Sequence, residues 1–249
     1  MERKIRVAAV DYLNTKPLIY GLDEMKDSIE LLLDYPSNIG KLLRDDVIDI
    51  GLVPVAVIPS LKEHHIITDY CIGCDGEVNS VCLFCDVPLS QIEKIYLDYQ
   101  SETSVKLFTI LLKKHWKISP VILNGFPGYE KEITGTTAGL VIGDRALLLR
   151  KKYKYIFDLG SAWKEMTGLP FVFATWVSNK ILPPEFVRSF NAAVGTGLSH
   201  IAEIAFLHSQ FDVDLIEYYT RNIDYILDER KKEGLQLFIS ILTEIDTVQ

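Results

Sequence analysis

The side chains in this 249-residue chain whose types and spacing could do chemistry are mostly neutral. Asn14 follows the apolar run IRVAAV (5–10) and precedes a helical segment, so its amide can project from a strand end as donor and acceptor at once. The common role of asparagine at such a place is an N-cap or an Asx turn. Ser80, in VNSV, could donate to a carboxylate or ring hydroxyl of a ligand, although a serine at a strand edge is usually satisfied by backbone or water. Ser101, Thr103 and Ser104 stand just ahead of a helix expected to begin near Val105. Their hydroxyls and the free N–H groups of the first turn would make a neutral carboxylate clamp that avoids burying a lysine. At least one of the three must be an ordinary cap; Thr103 and Ser104 are the pair expected to touch ligand, with Ser101 as the third member. Asp144 closes a strand in VIGD and could hold either a backbone amide or a ligand hydroxyl. Lys16 could attract an anion, but a solvated surface lysine is the commoner outcome.

Histidines 64, 65, 115, 200 and 208 have no recurring carboxylate partner or ligand spacing, and no Ser-His-Asp, metal or glycine-rich phosphate motif stands out. Any chemistry must therefore be light on protein acids and bases, and neither a cofactor nor a metal is expected. With 26 Lys and Arg against 34 Asp and Glu, the net charge is −8 and no long basic run occurs, which gives nucleic acid no footprint. The charged N-terminus MERKIR leads into an apolar run too short for a secretory signal or a membrane span. A cytoplasmic protein acting on a small molecule, away from membranes, is the expectation.

The elements that must position these residues come in two similar sets. The first half runs as strand (5–10), polar turn and helix, strand (29–35), a short helix with Ser37 and Asn38 as cap candidates, then the apolar IDIGLVPVAVI. The order recurs in KIYLDY (94–99), polar QSETS, helical VKLFTILLKKHW, a strand at 120–124 and TTAGLVIGD. The pattern predicts two α/β lobes with parallel sheets, helix N-termini at the strands' carboxyl edges, and a ligand cleft between lobes. After Pro183 and Pro184 the chain reads as helical to its end. The expected layout is a two-lobed, type II periplasmic-binding-protein-like fold, with residues 1–88 plus 177–249 as lobe 1 and 89–176 as lobe 2. Trp163, Phe171, Phe173 and Trp176 read as hinge and core packing rather than as a stacking platform.

The phrases YLNTKPLIYGL (12–22), DIGLVPVAVIP (49–59), GEVNSVCLF (76–84), LDYQSETSVKL (97–107), GLVIGDRAL (139–147), DLGSAWKEMTGLPFVFATW (158–176) and YILDERKKEGLQLF (225–238) span nearly the whole chain in order. They resemble the chorismate dehydratases of the futalosine route to menaquinone, a family that also includes 1,4-dihydroxy-6-naphthoate synthase. The resemblance implies a lyase that removes water from chorismate to give 3-[(1-carboxyvinyl)oxy]benzoate. It favours Asn14 and Ser80 as catalytic; Ser101, Thr103, Ser104 and Asp144 are the residues expected to bind substrate. The chain departs from the family pattern at Asp11, Glu102 and Cys85, which puts any substrate contact by residue 102 in doubt. Two other readings share the fold: a non-catalytic binding module for a small carboxylate, and the naphthoate synthase. The latter would need a ring-opening base, plausibly a histidine, and none falls in the matching phrases.

All four cysteines lie close together, as CIGC (71–74) and CLFC (82–85), which invites a zinc reading. The gap between the pairs is shorter than in two-knuckle sites, and VCLFC has the look of a buried strand whose alternate side chains face opposite ways. Elemental analysis of the purified protein is expected to find reduced thiols and no bound metal; stoichiometric zinc surviving dialysis, with unfolding on chelation, would overturn this.

Overall fold

Val7, Ala8 and Ala9 have no exposed surface, and since alternate residues of a strand face opposite ways, the strand that carries them is covered on both faces. This strand, β1 (Ile5–Val10), lies inside the larger of two sheets in the computed structural model, which describes residues 3–246. The strands that follow are β2 (Ile29–Asp34), β3 (Ile50–Pro54), β4 (His65–Cys74), β5 (Val81–Cys85), β6 (Lys94–Leu97), β7 (Val121–Asn124), β8 (Thr137–Ile142), β9 (Tyr155–Asp158), β10 (Phe171–Ser178) and β11 (Asp224–Ile226). The first sheet has the order β11-β4-β10-β3-β1-β2 and the second β7-β6-β8-β5-β9.

Within each sheet the expected β-α-β-α-β run is present, with β1 parallel to β2 and β3, and β6 parallel to β7 and β8. The sheets are mixed rather than parallel, because β4, β10 and β11 in the first and β5 and β9 in the second run antiparallel to their neighbours. Strand membership also moves the crossings. β5 pairs within the second sheet and β10 within the first, so the chain crosses between β4 and β5 and returns between β9 and β10, not at the expected 88 and 176. The reason is local: GCDGEVNS breaks the apolar run before VCLFC, and the αL residue Gly168 ends a helix just ahead of FVFATWVS.

The helices are α1 (Lys16–Ile19), α2 (Pro36–Arg44), α3 (Glu102–Leu111), α4 (Gly143–Leu149), α5 (Leu159–Thr167), α6 (Pro184–Thr196), α7 (Ile201–Leu207), α8 (Leu215–Glu217) and α9 (Glu229–Asp246). α2 starts one residue before its expected caps, with Pro36 in the first turn, where a missing N–H costs nothing. α3 starts at Glu102 rather than Val105, continues as a π turn over Leu112–Trp116 and stops at Lys117 in the αL conformation. The C-terminal part is not wholly helical, since β11 adds an edge strand to β4. Trp163, Phe171 and Phe238 meet edge-to-face, and all three are buried where α5, β10 and α9 come together. The cysteines are split between sheets, Cys71 and Cys74 on β4 and Cys82 and Cys85 on β5, all buried and free.

One buried carboxylate ties three strands of the first sheet at the edge away from the cleft. Asp49 accepts from the Arg6 backbone N–H (2.8 Å), the Arg6 guanidinium (2.9 Å) and Lys180 Nζ (2.8 Å), linking β1, the start of β3 and the end of β10. Burial alone would raise its pKa, but the bonds from Arg6 and Lys180 outweigh that and hold it well below the usual carboxylate range. A depressed folded-state pKa contributes stability above the unfolded value, lost as pH falls through that value toward the folded one. Acid unfolding followed by circular dichroism should therefore show stability declining below about pH 4. Asp49→Asn should flatten that decline and cost about 2 kcal/mol at neutral pH.

Candidate active site

The carboxyl ends of β1 and β3 in one sheet face those of β6 and β8 in the other, each pair marking the point where strand order reverses. Between them lies a cavity that opens to solvent. Val10, Tyr12, Asn14 and Pro54 reach it from the first lobe, and Ser101, Ser104, Ile142 and Gly143 from the second. Pro36, at the start of α2, also lines it from the first lobe, and Ile72, Val78, Ser80, Val81, Phe173 and Ala174 come from the segments flanking the two crossings. Among the described residues, no lysine, arginine, histidine, aspartate or glutamate lines it. Its polar side chains are the Asn14 amide, the Tyr12 phenol and the Ser80, Ser101 and Ser104 hydroxyls.

Asn14 sits in the middle of a single 3-10 turn, Leu13–Thr15, whose N-cap is Tyr12, so it is not a helix cap. Its carbonyl accepts from Tyr225 Oη at 3.0 Å, and its side-chain oxygen has only a long contact, 3.4 Å, with the Thr15 hydroxyl. Ser80 is fully buried from bulk solvent at the first crossing, and its hydroxyl makes one long contact, 3.4 Å, to the Val78 carbonyl. Ser101 is the ordinary cap of α3, accepting from Ser104 N–H at 3.2 Å, while donating to Ser104 Oγ at 3.0 Å. That donation leaves the Ser104 proton free for the cavity. Ser101 thus lines the cavity and caps the helix at once.

Thr103 and Asp144 do not line the cavity. Thr103 Oγ1 accepts from the Ala56 backbone N–H at 3.1 Å, and Asp144 Oδ1 accepts from the Leu13 N–H at 3.0 Å. Both donors belong to loops that follow strands of the first lobe, so these side chains of the second lobe latch the two together. Thr103, expected to clamp ligand, instead spends an acceptor position on the Ala56 amide across the lobe interface. Of the two roles open for Asp144, the backbone amide is the one observed. Burial pushes its pKa up, and the Leu13 N–H opposes that. Lys16 pairs with Asp11 at 2.5 Å, so the Asp11 departure gives this lysine its partner.

Two contributors escaped the sequence reading. Tyr12 donates to Gln100 Oε1 at 2.6 Å, a third link between lobes, and Gln100 Oε1 also accepts from Arg145 at 2.7 Å. Arg145 is spent on Asp98 (2.6 Å) and Glu130 (2.5 Å), with its guanidinium 5.1 Å from the Tyr99 ring centre, so it braces the wall instead of offering a charge to the cavity. Phe173 is the other: unlike the core residues Trp163, Phe171 and Trp176, it shows a face to the cavity. The position of Tyr12 two residues before Asn14 was the available signal. Gly143 keeps the wall thin, since at φ +64° a Cβ would be strained and would meet the Tyr12 ring at 3.2 Å.

Residues 5–244 match the family described as menaquinone biosynthesis. The chain belongs to that family. Within it, a Thermus thermophilus protein named chorismate dehydratase is 28% identical over 93% of this chain and 92% of its own length. Among solved structures, an Archaeoglobus fulgidus protein superposes with a TM-score of 0.76 at 14% identity, covering 99% of this chain and 98% of that one. The alkanesulfonate-binding protein of Xanthomonas axonopodis pv. citri does so at 0.66 and 11% identity, covering 97% and 92%. These likenesses establish the periplasmic-binding-protein-like fold expected for this family member. No helix among the described residues is long and apolar enough to cross a membrane.

The latch and the lining separate by substitution. Thr103→Val should lower stability by about 1 to 2 kcal/mol, because the Ala56 amide loses its acceptor, and leave affinity for a small carboxylate such as chorismate less affected than Ser104→Ala does. Ser104→Ala should weaken that binding by about 1 to 3 kcal/mol with an unchanged melting temperature. Calorimetry and thermal unfolding on the two proteins decide it; a Thr103→Val protein that melts normally but loses affinity would return that hydroxyl to the cavity.

Proposed function

We propose that this family member is a chorismate dehydratase, a lyase that converts chorismate to 3-[(1-carboxyvinyl)oxy]benzoate and water on the futalosine route to menaquinone. The observation that carries the reading is the cavity itself: set between lobes, lined by apolar side chains and a few neutral hydrogen-bonding groups, with no histidine or carboxylate among the described residues that line it to act as a base. The named relative from Thermus thermophilus supports the same activity.

Chorismate carries a ring carboxylate, an enolpyruvyl ether with its own carboxylate, and a hydroxyl on the neighbouring ring carbon. In the proposed reaction the enolpyruvyl carboxylate takes the proton from the ring carbon bearing the ether. The C–H electron pair becomes the new ring double bond and the neighbouring C–O pair leaves with oxygen. The departing hydroxide gains the proton held by the carboxyl and leaves as water, so atoms and charge balance without a protein base. Aromaticity supplies the driving force, which suits a protein that mainly orients and excludes solvent.

In this reading one carboxylate rests on the Ser101–Ser104 end of α3, a ten-residue helix whose first-turn N–H groups favour an anion. Asn14 and Ser80 approach the reacting edge of the ring, giving hydrogen bonds to the departing hydroxyl or to the proton-taking carboxylate. The apolar lining of Val10, Ile72 and Phe173 accommodates the ring. A binding module would share every one of these features except turnover, so the deciding test is incubation of the purified protein with chorismate and detection of loss of one water by mass spectrometry. Asn14→Ala should then lower single-turnover rate by at least about 100-fold, near 2.7 kcal/mol, with a smaller effect on chorismate affinity. A normal rate in a folded Asn14→Ala protein would remove Asn14 from the chemistry.

A further inference from the structure

The hydroxyl of Tyr218 is buried and has no hydrogen-bond partner among the described residues. Tyr218 opens the π turn Tyr218–Asn222 that follows α8, and only 2% of its surface is exposed. A phenylalanine would fill the same space, including the ring contact with Tyr219 at 5.7 Å, without stranding a polar atom. The hydroxyl is not remote from the cavity. It faces the Ser80 hydroxyl and the Asn14 amide, near enough for both to act on its ionisation though neither reaches it as a formed hydrogen bond. The same C-terminal segment also supplies Tyr225, whose hydroxyl holds the Asn14 carbonyl. Two tyrosines thus back the two neutral groups at the reacting edge.

We infer that Tyr218 is a positioning residue that donates to Ser80 Oγ and so turns the Ser80 proton into the cleft. This rests on the dehydratase reading above. The valences account for it. A serine hydroxyl has one proton and two lone pairs, and the Ser80 proton now has only the distant Val78 carbonyl. A bond from Tyr218 to one Ser80 lone pair leaves that proton to point to the open side, toward the departing oxygen of the substrate. The lone pairs of Tyr218 remain available to the Asn14 N–H, giving the order Asn14 N–H to Tyr218 O–H to Ser80 O–H to substrate oxygen, in which each donation strengthens the next. No proton leaves the protein: the ring proton still travels through the substrate's own carboxyl to the departing hydroxide. Burial raises the pKa of Tyr218, against the opposing pull of Ser80, so it stays protonated and able to donate at neutral pH.

The test is Tyr218→Phe alone and in combination with Ser80→Ala, measured for chorismate turnover, KM and melting temperature. The single variant should lose about 10- to 100-fold in kcat, with KM within about twofold and a melting temperature equal or higher. In the Ser80→Ala background, Tyr218→Phe should add less than about a twofold further loss, because its effect runs through Ser80. A normal kcat in Tyr218→Phe, an equal loss in both backgrounds, or a loss that accompanies a lowered melting temperature would each overturn the assignment. If the unsubstituted protein releases no water from chorismate, the dehydratase reading fails and takes this inference with it. Normal turnover by Tyr218→Phe beside an active unsubstituted protein sinks the inference alone.

Discussion

The cleft depends on two backbone amides of the first lobe, those of Leu13 and Ala56, which find their acceptors on the second lobe. A buried N–H left without a partner is costly, so these amides favour the arrangement in which Asp144 and Thr103 are near. Tyr12 adds a third bond through Gln100. Each link begins at a loop that follows a parallel strand and ends at or next to the start of a helix opposite. The strand-end loops that carry the cavity groups are therefore the same loops that hold the lobes together, and Asn14 is placed by its neighbours on both sides.

That economy explains why the candidate site needs so few specialised residues. Leu13 is bound to the second lobe, the Asn14 carbonyl to Tyr225, and the turn between them is fixed before any ligand arrives. Ser80 is similarly constrained: its N–H bonds the Val78 carbonyl and its own carbonyl accepts from Gly143. The backbones of Val78 and Asn79 are gripped by the buried Asp158 carboxylate. Rigid backbone with lightly occupied side chains is a suitable arrangement for orienting a substrate that supplies its own base.

Much of this was legible in the chain. The repeated order of strand, polar turn and helix gave two lobes and a cleft, and the polar turns at 11–16 and 100–104 are where the cavity groups stand. The mixed direction of the sheets was not legible, because VCLFC and FVFATWVS are buried on both faces and so carry no alternation to reveal which sheet or direction they join. Within QSETS the sequence could show three hydroxyls but not their directions. A shift of α3 by three residues turned Ser101 into the cap and aimed Thr103 at Ala56, and helical rotation of about 100° per residue makes that difference decisive. Tyr218 was invisible for another reason: it lies some 140 residues from Ser80 in the chain, and only the docking of the C-terminal segment brings them together.

The absence of a cation from the cavity lining follows from the proposed chemistry rather than standing against it. A lysine or arginine on the enolpyruvyl carboxylate would bind the substrate more strongly, but it would also stabilise the ionised form and lower that carboxylate's basicity. Neutral hydroxyls and helix N–H groups orient an anion with less loss of proton affinity, and an apolar enclosure raises it further. Arg145 illustrates the alternative being avoided, since the one arginine near the wall is occupied by Asp98 and Glu130. A protein that must leave its substrate's carboxylate basic does better with Ser101, Ser104, Asn14 and Ser80 than with a salt bridge, because hydrogen bonds from neutral groups gain electrostatic strength wherever bound substrate displaces water from an apolar lining.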